Sequence, residues 1–199
     1  MRRISIVTFM TVSLLSCTFK KTPADYVQYI ESEHNGFRKT VAKGEWLFRA
    51  QYKPATYIYL QETRSEKPDE GTFHKREHQL KNWLFFNVYI RHNRERNAPL
   101  RLLSPTLQHY NVLLNYYLTE NKNNFILYTD GDTLYPKMYI YENNYGLSPE
   151  DVFVVGFENK AAISLQSMVL QFDDRYFTNG LIRFSFSKQE LQKEPQINF

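Results

Sequence analysis

The chain has a single cysteine, Cys17, among its 199 residues. One thiol cannot close an intramolecular disulfide, so disulfide-stapled small scaffolds are excluded, together with the paired-cysteine zinc and redox motifs. Glycine and proline are sparse, at 7 and 8 residues. That leaves no Gly-rich phosphate loop, no collagen-like period and no Pro-rich linker. Charge of one sign is not in large excess, since 25 Lys and Arg against 21 Asp and Glu give a formal +4. The basic residues are interspersed rather than gathered on one stripe, so no nucleic-acid partner is expected. No G-x-S-x-G elbow and no internal repeat occurs. The N-terminal apolar run, from Ile4 to Leu15, is too short to cross a bilayer as a helix.

That run is nevertheless the most informative segment. Met1-Arg2-Arg3 is a basic start, Ile4 through Leu15 an apolar core, and Leu14-Leu15-Ser16-Cys17 ends on a small residue and a thiol. Such a layout is a secretory signal. With the cysteine immediately after the small residue, it resembles the signal of a bacterial lipoprotein. The resemblance implies acylation of Cys17 by diacylglycerol and cleavage just before it. Residues 1–16 would then be the signal peptide, 17–22 the lipidated tether and 23–199 one domain. It also removes a free thiol from an oxidising compartment, and with it any thiol nucleophile. Each buried CH₂ of an acyl chain contributes about 0.8 kcal/mol, and several chains make release negligible. Loss of Arg2 and Arg3 lowers the formal charge from +4 to +2. Lys20-Lys21, beside the lipid, reads as a solvated tether.

The body of the chain is rich in aromatics, with 15 Tyr and 15 Phe, as expected for a packed β-rich core. Thr22 before Pro23 predicts a helix over Pro23–Glu33. Lys43-Gly44 between Phe37–Val41 and Trp46–Tyr52 predicts a hairpin, and Asp130-Gly131 between Phe125–Thr129 and Thr133–Tyr135 a second. Ala55–Glu62 fits helix and strand equally. Trp83–Ile90 is apolar enough for a central strand covered on both faces. From Ser104-Pro105, Leu107, Tyr110, Leu114, Tyr117 and Leu118 fall at helical spacing. Strands are expected again at Met138–Tyr141, Val152–Phe157, Met168–Phe172 and Leu181–Phe186, with loops at Thr63–Gly71 and Asn93–Pro99. The pattern predicts a single α+β domain on antiparallel sheet, sandwich- or barrel-like, with two or three helices.

Candidate chemistry is thin. His74-Lys75-Arg76-Glu77-His78 matches the H-x-x-E-H zinc pattern, but two cations between the ligands and the absence of a third ligand favour a solvated surface helix. Asp130 and Asp132 flank a turn glycine and lack the ligand series of a calcium loop. Asp173-Asp174-Arg175, considered with Glu142 or Asp151 as paired carboxylates, reads as a loop closed by its own arginine. No catalytic residue, metal or cofactor is called for.

The best candidate surface is Tyr135, Lys137, Tyr139, Tyr141 and Tyr145. Alternation along a strand would send Met138 and Ile140 to the core and leave the tyrosines partly exposed. Tyrosine is enriched at interfaces and stacks on sugar rings. The lipoprotein motif, the Tyr- and Asn-rich composition and the run Tyr141-Glu142-Asn143-Asn144-Tyr145-Gly146 are similar in style to small lipoproteins of the Bacteroidetes. In that class, surface display tends to go with acidic residues soon after the cysteine. Thr18 to Thr22 has none, so the resemblance implies an outer-membrane lipoprotein held on the periplasmic leaflet. The expected role is a non-catalytic envelope lipoprotein, anchored in the membrane by its lipid, that docks onto a larger membrane or secretion assembly. Glycan or other ligand binding is the alternative.

Overall fold

Turn and cap residues set out most of the elements. A computed structural model of the chain describes residues 20–159, 167–177 and 180–199. Leu14, Leu15, Ser16 and Cys17 lie outside the described residues. In chain order the elements are β1 (Lys20–Lys21), α1 (Pro23–Glu31), β2 (Arg38–Lys43), β3 (Trp46–Lys53), α2 (Ala55–Thr63), α3 (Glu70–Leu80) and β4 (Trp83–His92). They continue with α4 (Pro99–Leu102), α5 (Leu107–Thr119), β5 (Phe125–Thr129), β6 (Thr133–Leu134), β7 (Pro136–Glu142), β8 (Glu150–Glu158), β9 (Met168–Asp174), β10 (Gly180–Phe186), α6 (Lys188–Leu191) and β11 (Gln196–Ile197).

Two antiparallel sheets form a sandwich-like α+β domain. One has the order β2-β3-β4-β8-β7 and the other β10-β9-β5-β6. The hairpins fall where the dipeptides put them, with Gly44 at φ 59° and Gly131 at φ 112°, both open to solvent. Alternate residues of each strand face the space between the sheets. Phe48, Phe86, Val88, Phe153, Val155 and Phe157 come from one sheet, and Phe125, Leu127, Leu170, Phe172 and Phe184 from the other, all essentially inaccessible. Lys20–Lys21, read from the sequence as tether, pair in parallel with Gln196–Ile197.

Local chemistry explains the helices. Thr22 Oγ1 accepts from Asp25 N at 3.2 Å and Pro23 opens α1. Asp69 and Thr106 cap α3 and α5 in the same way. The structure has six α-helices among the described residues, against the two or three expected. Two of them, α4 and α6, have four residues each, too short to leave a periodic signal. α2 escaped the pattern because Tyr57, Ile58, Tyr59 and Leu60 are all buried, which erases any amphipathic stripe.

The strand β4 lies at the centre of its sheet but is covered on one face only. Leu84, Phe86, Val88 and Ile90 are buried, while Trp83, Phe85, Asn87 and Tyr89 are half-buried on the outer face. That outer face is finished by ring contacts rather than a second layer. Trp83 and Phe85 stack at 5.5 Å, and Arg49 lies 4.5 Å over the Tyr89 ring.

Candidate functional site

The alternation along β7 runs opposite to the sequence expectation. Tyr139 pairs with Val155 and Tyr141 with Phe153, both on the core face. Tyr141 is buried and Tyr139 half-buried, whereas Ile140 is 47% exposed. The reason is hydrogen bonding. The last turn of α5 presents carbonyls with no helical partner, and Tyr139 Oη donates to Tyr117 O at 2.6 Å while accepting from Asn121 Nδ2. A methionine or isoleucine there would fill the space and leave that carbonyl unsatisfied. Of the five expected surface residues, Tyr135 (62%), Lys137 and Tyr145 (83%) are exposed, and Tyr139 and Tyr141 are withdrawn.

Tyr141 leads to a group that the sequence reading had considered only as one of a carboxylate pair. On β8, Asp151 occupies the inward series that continues with Phe153, Val155 and Phe157, and it is fully inaccessible. Its Oδ1 accepts from Tyr141 Oη at 3.0 Å and its Oδ2 from Leu100 N, in the first turn of α4, at 2.7 Å. Tyr117 Oη is sealed in beside it without a hydrogen bond of full geometry. Burial raises the Asp151 carboxyl to about 6, partly offset by the Leu100, Tyr141 and Tyr117 contacts. Burial, then the neighbouring Asp151 charge, raises the Tyr117 and Tyr141 phenols.

This carboxyl has a measurable consequence. Below about pH 4 both folded and unfolded states hold the proton, and between about 4 and 6 only the folded state does, so stability falls as pH rises across that window. Above pH 6 the folded state carries a cost on the order of 2–3 kcal/mol. Glu194, half-buried and bonded to Tyr26 Oη at 2.6 Å, is also raised by desolvation and acts in the same direction. Asp151→Asn keeps an acceptor for Leu100 N and should flatten Asp151's share of the slope. Urea unfolding at pH 4, 6 and 7.5 measures it; a variant with the wild-type slope would show that Asp151 is not its source.

Asp151 forms part of the floor of a cleft of about 310 Å³. One wall is the loop into α4, with Asn97, Leu100 and Arg101; a second is Tyr110 of α5; the third is the β7–β8 connection with Tyr141, Asn143, Asn144 and Tyr145. Side-chain amides fold that connection. Asn143 Oδ1 accepts from Tyr145 N at 2.9 Å, Asn144 Oδ1 from Gly146 N at 2.8 Å, and Asn144 Nδ2 donates to Glu150 O. They hold Tyr145 at φ 53°, a conformation that disfavours a bulky residue. The α4 loop is anchored by His92, whose Nδ1 accepts from Arg94 N and Glu95 N at 3.2 and 3.0 Å. The His92 ring packs edge-on against Trp46 at 5.0 Å.

The other sequence candidates stay apart from this cleft. The H-x-x-E-H segment is a helix, and its two histidines take different partners: His74 Nδ1 lies 3.2 Å from Glu77, and His78 faces Lys81. Among the described residues no three His, Asp or Glu side chains converge to hold a metal ion. Asp130 belongs to its hairpin turn and accepts from Ser167 N at 3.3 Å. Arg175 reaches Asp173 at 3.7 Å, and Asp174 accepts from the amides of Tyr176 and Phe177. The cleft was missed because Asn97, Tyr110 and Asn143 are far apart in sequence. A charged residue in register with Phe153 and Val155 was its one local signal.

The chain matches no protein-family model, no curated protein and no solved structure.

Proposed function

We propose that the protein is a lipid-anchored, non-catalytic envelope lipoprotein that binds a small polar ligand, a glycan unit, in the cleft over Asp151. The anchor is Cys17, and the location is the periplasmic leaflet of the outer membrane, as the resemblance of the leader implies. The observation that carries the binding reading is the cleft itself, whose volume falls in the range of small-molecule sites and whose walls combine tyrosine rings with amide and guanidinium groups. Asp151 has both oxygens engaged by Tyr141 and Leu100. That suits a carboxylate that fixes α4 to β8 better than one that exchanges protons with a substrate.

A glycan array probed with the full-length lipidated protein in detergent micelles tests this reading. Defined glycans should be retained, and a Tyr110→Ala/Tyr145→Ala variant should lose them. Retention that survives the double substitution would remove the cleft as the site. Docking onto a larger assembly is the second reading, supported by Leu107 (75%), Val112 (62%) and Leu118 (54%), all exposed on α5. It predicts crosslinks from α5 to one set of envelope proteins in native membranes, and a protein with no partners there would sink it.

A further inference from the structure

The hydrogen-bonding groups of the cleft are unevenly spent, and the imbalance identifies the chemistry of what it takes. The Asp151 carboxylate is inaccessible, with one oxygen engaged by Tyr141 and the other by Leu100, and the side-chain oxygens of Asn143 and Asn144 accept from Tyr145 N and Gly146 N. The strongest acceptors of the lining are therefore used by the fold. The donors are not. Arg101 is exposed on α4 and makes no ion pair or hydrogen bond among the described residues, the Asn143 amide nitrogen donates to no described group, and the Asn97 amide is likewise unengaged. A guanidinium offers five N–H groups in a fork and no acceptor at all. Such a lining is matched by a ligand rich in acceptors and negatively charged. The Tyr110 and Tyr145 rings, both in the lining, supply flat apolar surface with a polar tip.

We infer that the cleft takes one acidic sugar unit, a hydroxylated ring bearing a carboxylate. Arg101 forks the carboxylate, the Asn97 and Asn143 amides donate to ring hydroxyl oxygens, and Tyr110 and Tyr145 flank the ring. The inference rests on the ligand-binding reading of this cleft and specifies its substrate class. Charge-assisted bidentate pairs are the strong hydrogen bonds of such a site, and they carry geometric selectivity that a lone ammonium lacks.

The test uses the full-length lipidated protein in micelles, titrated at pH 7 with glucuronate and with glucose and followed by ligand-observed NMR. Glucuronate should bind at least about tenfold more tightly than glucose, and Arg101→Gln should erase that margin. Arg101→Lys, which keeps the charge and loses the fork, should recover only part of it. Arg101 is exposed, so an unchanged melting curve for these variants certifies the fold. If glucose binds as tightly as glucuronate and Arg101→Gln changes neither, the acidic-sugar inference is overturned while the cleft keeps its role. If neither sugar binds at millimolar concentration and the glycan array is also blank, both the inference and the binding reading fall.

Discussion

Serine in place of Cys17 should abolish lipid attachment altogether. A serine hydroxyl lacks the thiolate character that forms the thioether to diacylglycerol, so tritiated palmitate should no longer label the protein. Without acylation the leader should also stay in place, and the mass should remain that of the uncut 199-residue chain. The energetic contrast is large because each buried CH₂ contributes about 0.8 kcal/mol and two or more chains make desorption negligible. Wild-type protein that carries no label, or Cys17→Ser protein that still does, would remove the anchor and with it the assignment to the envelope. The same measurement settles whether Arg2 and Arg3 are lost on maturation.

Phe153→Ala should be the most damaging single truncation near the cleft. Phe153 is fully buried and has four aromatic neighbours, with ring centroids at 5.0 Å from Tyr117, 5.3 Å from Tyr141, 6.1 Å from Phe125 and 6.2 Å from Tyr139. Buried Phe→Ala changes cost about 3–5 kcal/mol, a large part of the roughly 5–15 kcal/mol that holds a domain folded. In a chain of this size that is a fall of about 6–20 °C in Tm. The useful control is Ile140→Ala. Ile140 is 47% exposed on the opposite face of the neighbouring strand, so its truncation should stay within about 1 kcal/mol. Differential scanning calorimetry of the two variants tests the register of β7 against β8. An Ile140→Ala cost as large as that of Phe153→Ala would mean that Ile140 does not lie on the exposed face.

Both variants bear on the point where the sequence and the fold part company. The hairpins at Lys43-Gly44 and Asp130-Gly131 were legible because a positive φ is a local demand that few residues meet. The start of α1 was legible at Thr22, whose side-chain oxygen accepts from a helix amide three residues on, whereas α3 begins inside the stretch Thr63–Gly71 expected as a loop, with Asp69 as its cap. The strands of the last third were visible as alternation, most plainly in Ile182, Phe184 and Phe186, which are buried, against Arg183 and Ser185, which are exposed. These features fixed an α+β domain on antiparallel sheet.

Which face of β7 turns inward was not decided there. Met138, Tyr139, Ile140 and Tyr141 are all large and largely apolar, so alternation alone assigns two faces without saying which is covered. The choice falls to groups on other elements: the Tyr117 carbonyl at the end of α5 and the Asp151 carboxylate on β8 both need donors. A phenol supplies a buried ring and an O–H together, which neither methionine nor isoleucine can. The count of helices failed for a related reason, since α4 is a single turn that Leu100 N ties to Asp151, a contact across 51 residues.

The sequence by itself determined the turns, the cap at Thr22 and the two periodicities, because each is written in residues a few positions apart. The tertiary structure alone decided the inward tyrosines, the burial of Asp151 and the cleft that joins Asn97, Arg101, Tyr110 and Asn143. Buried polar groups must find partners wherever the fold brings them, and those partners here come from four separate segments of the chain.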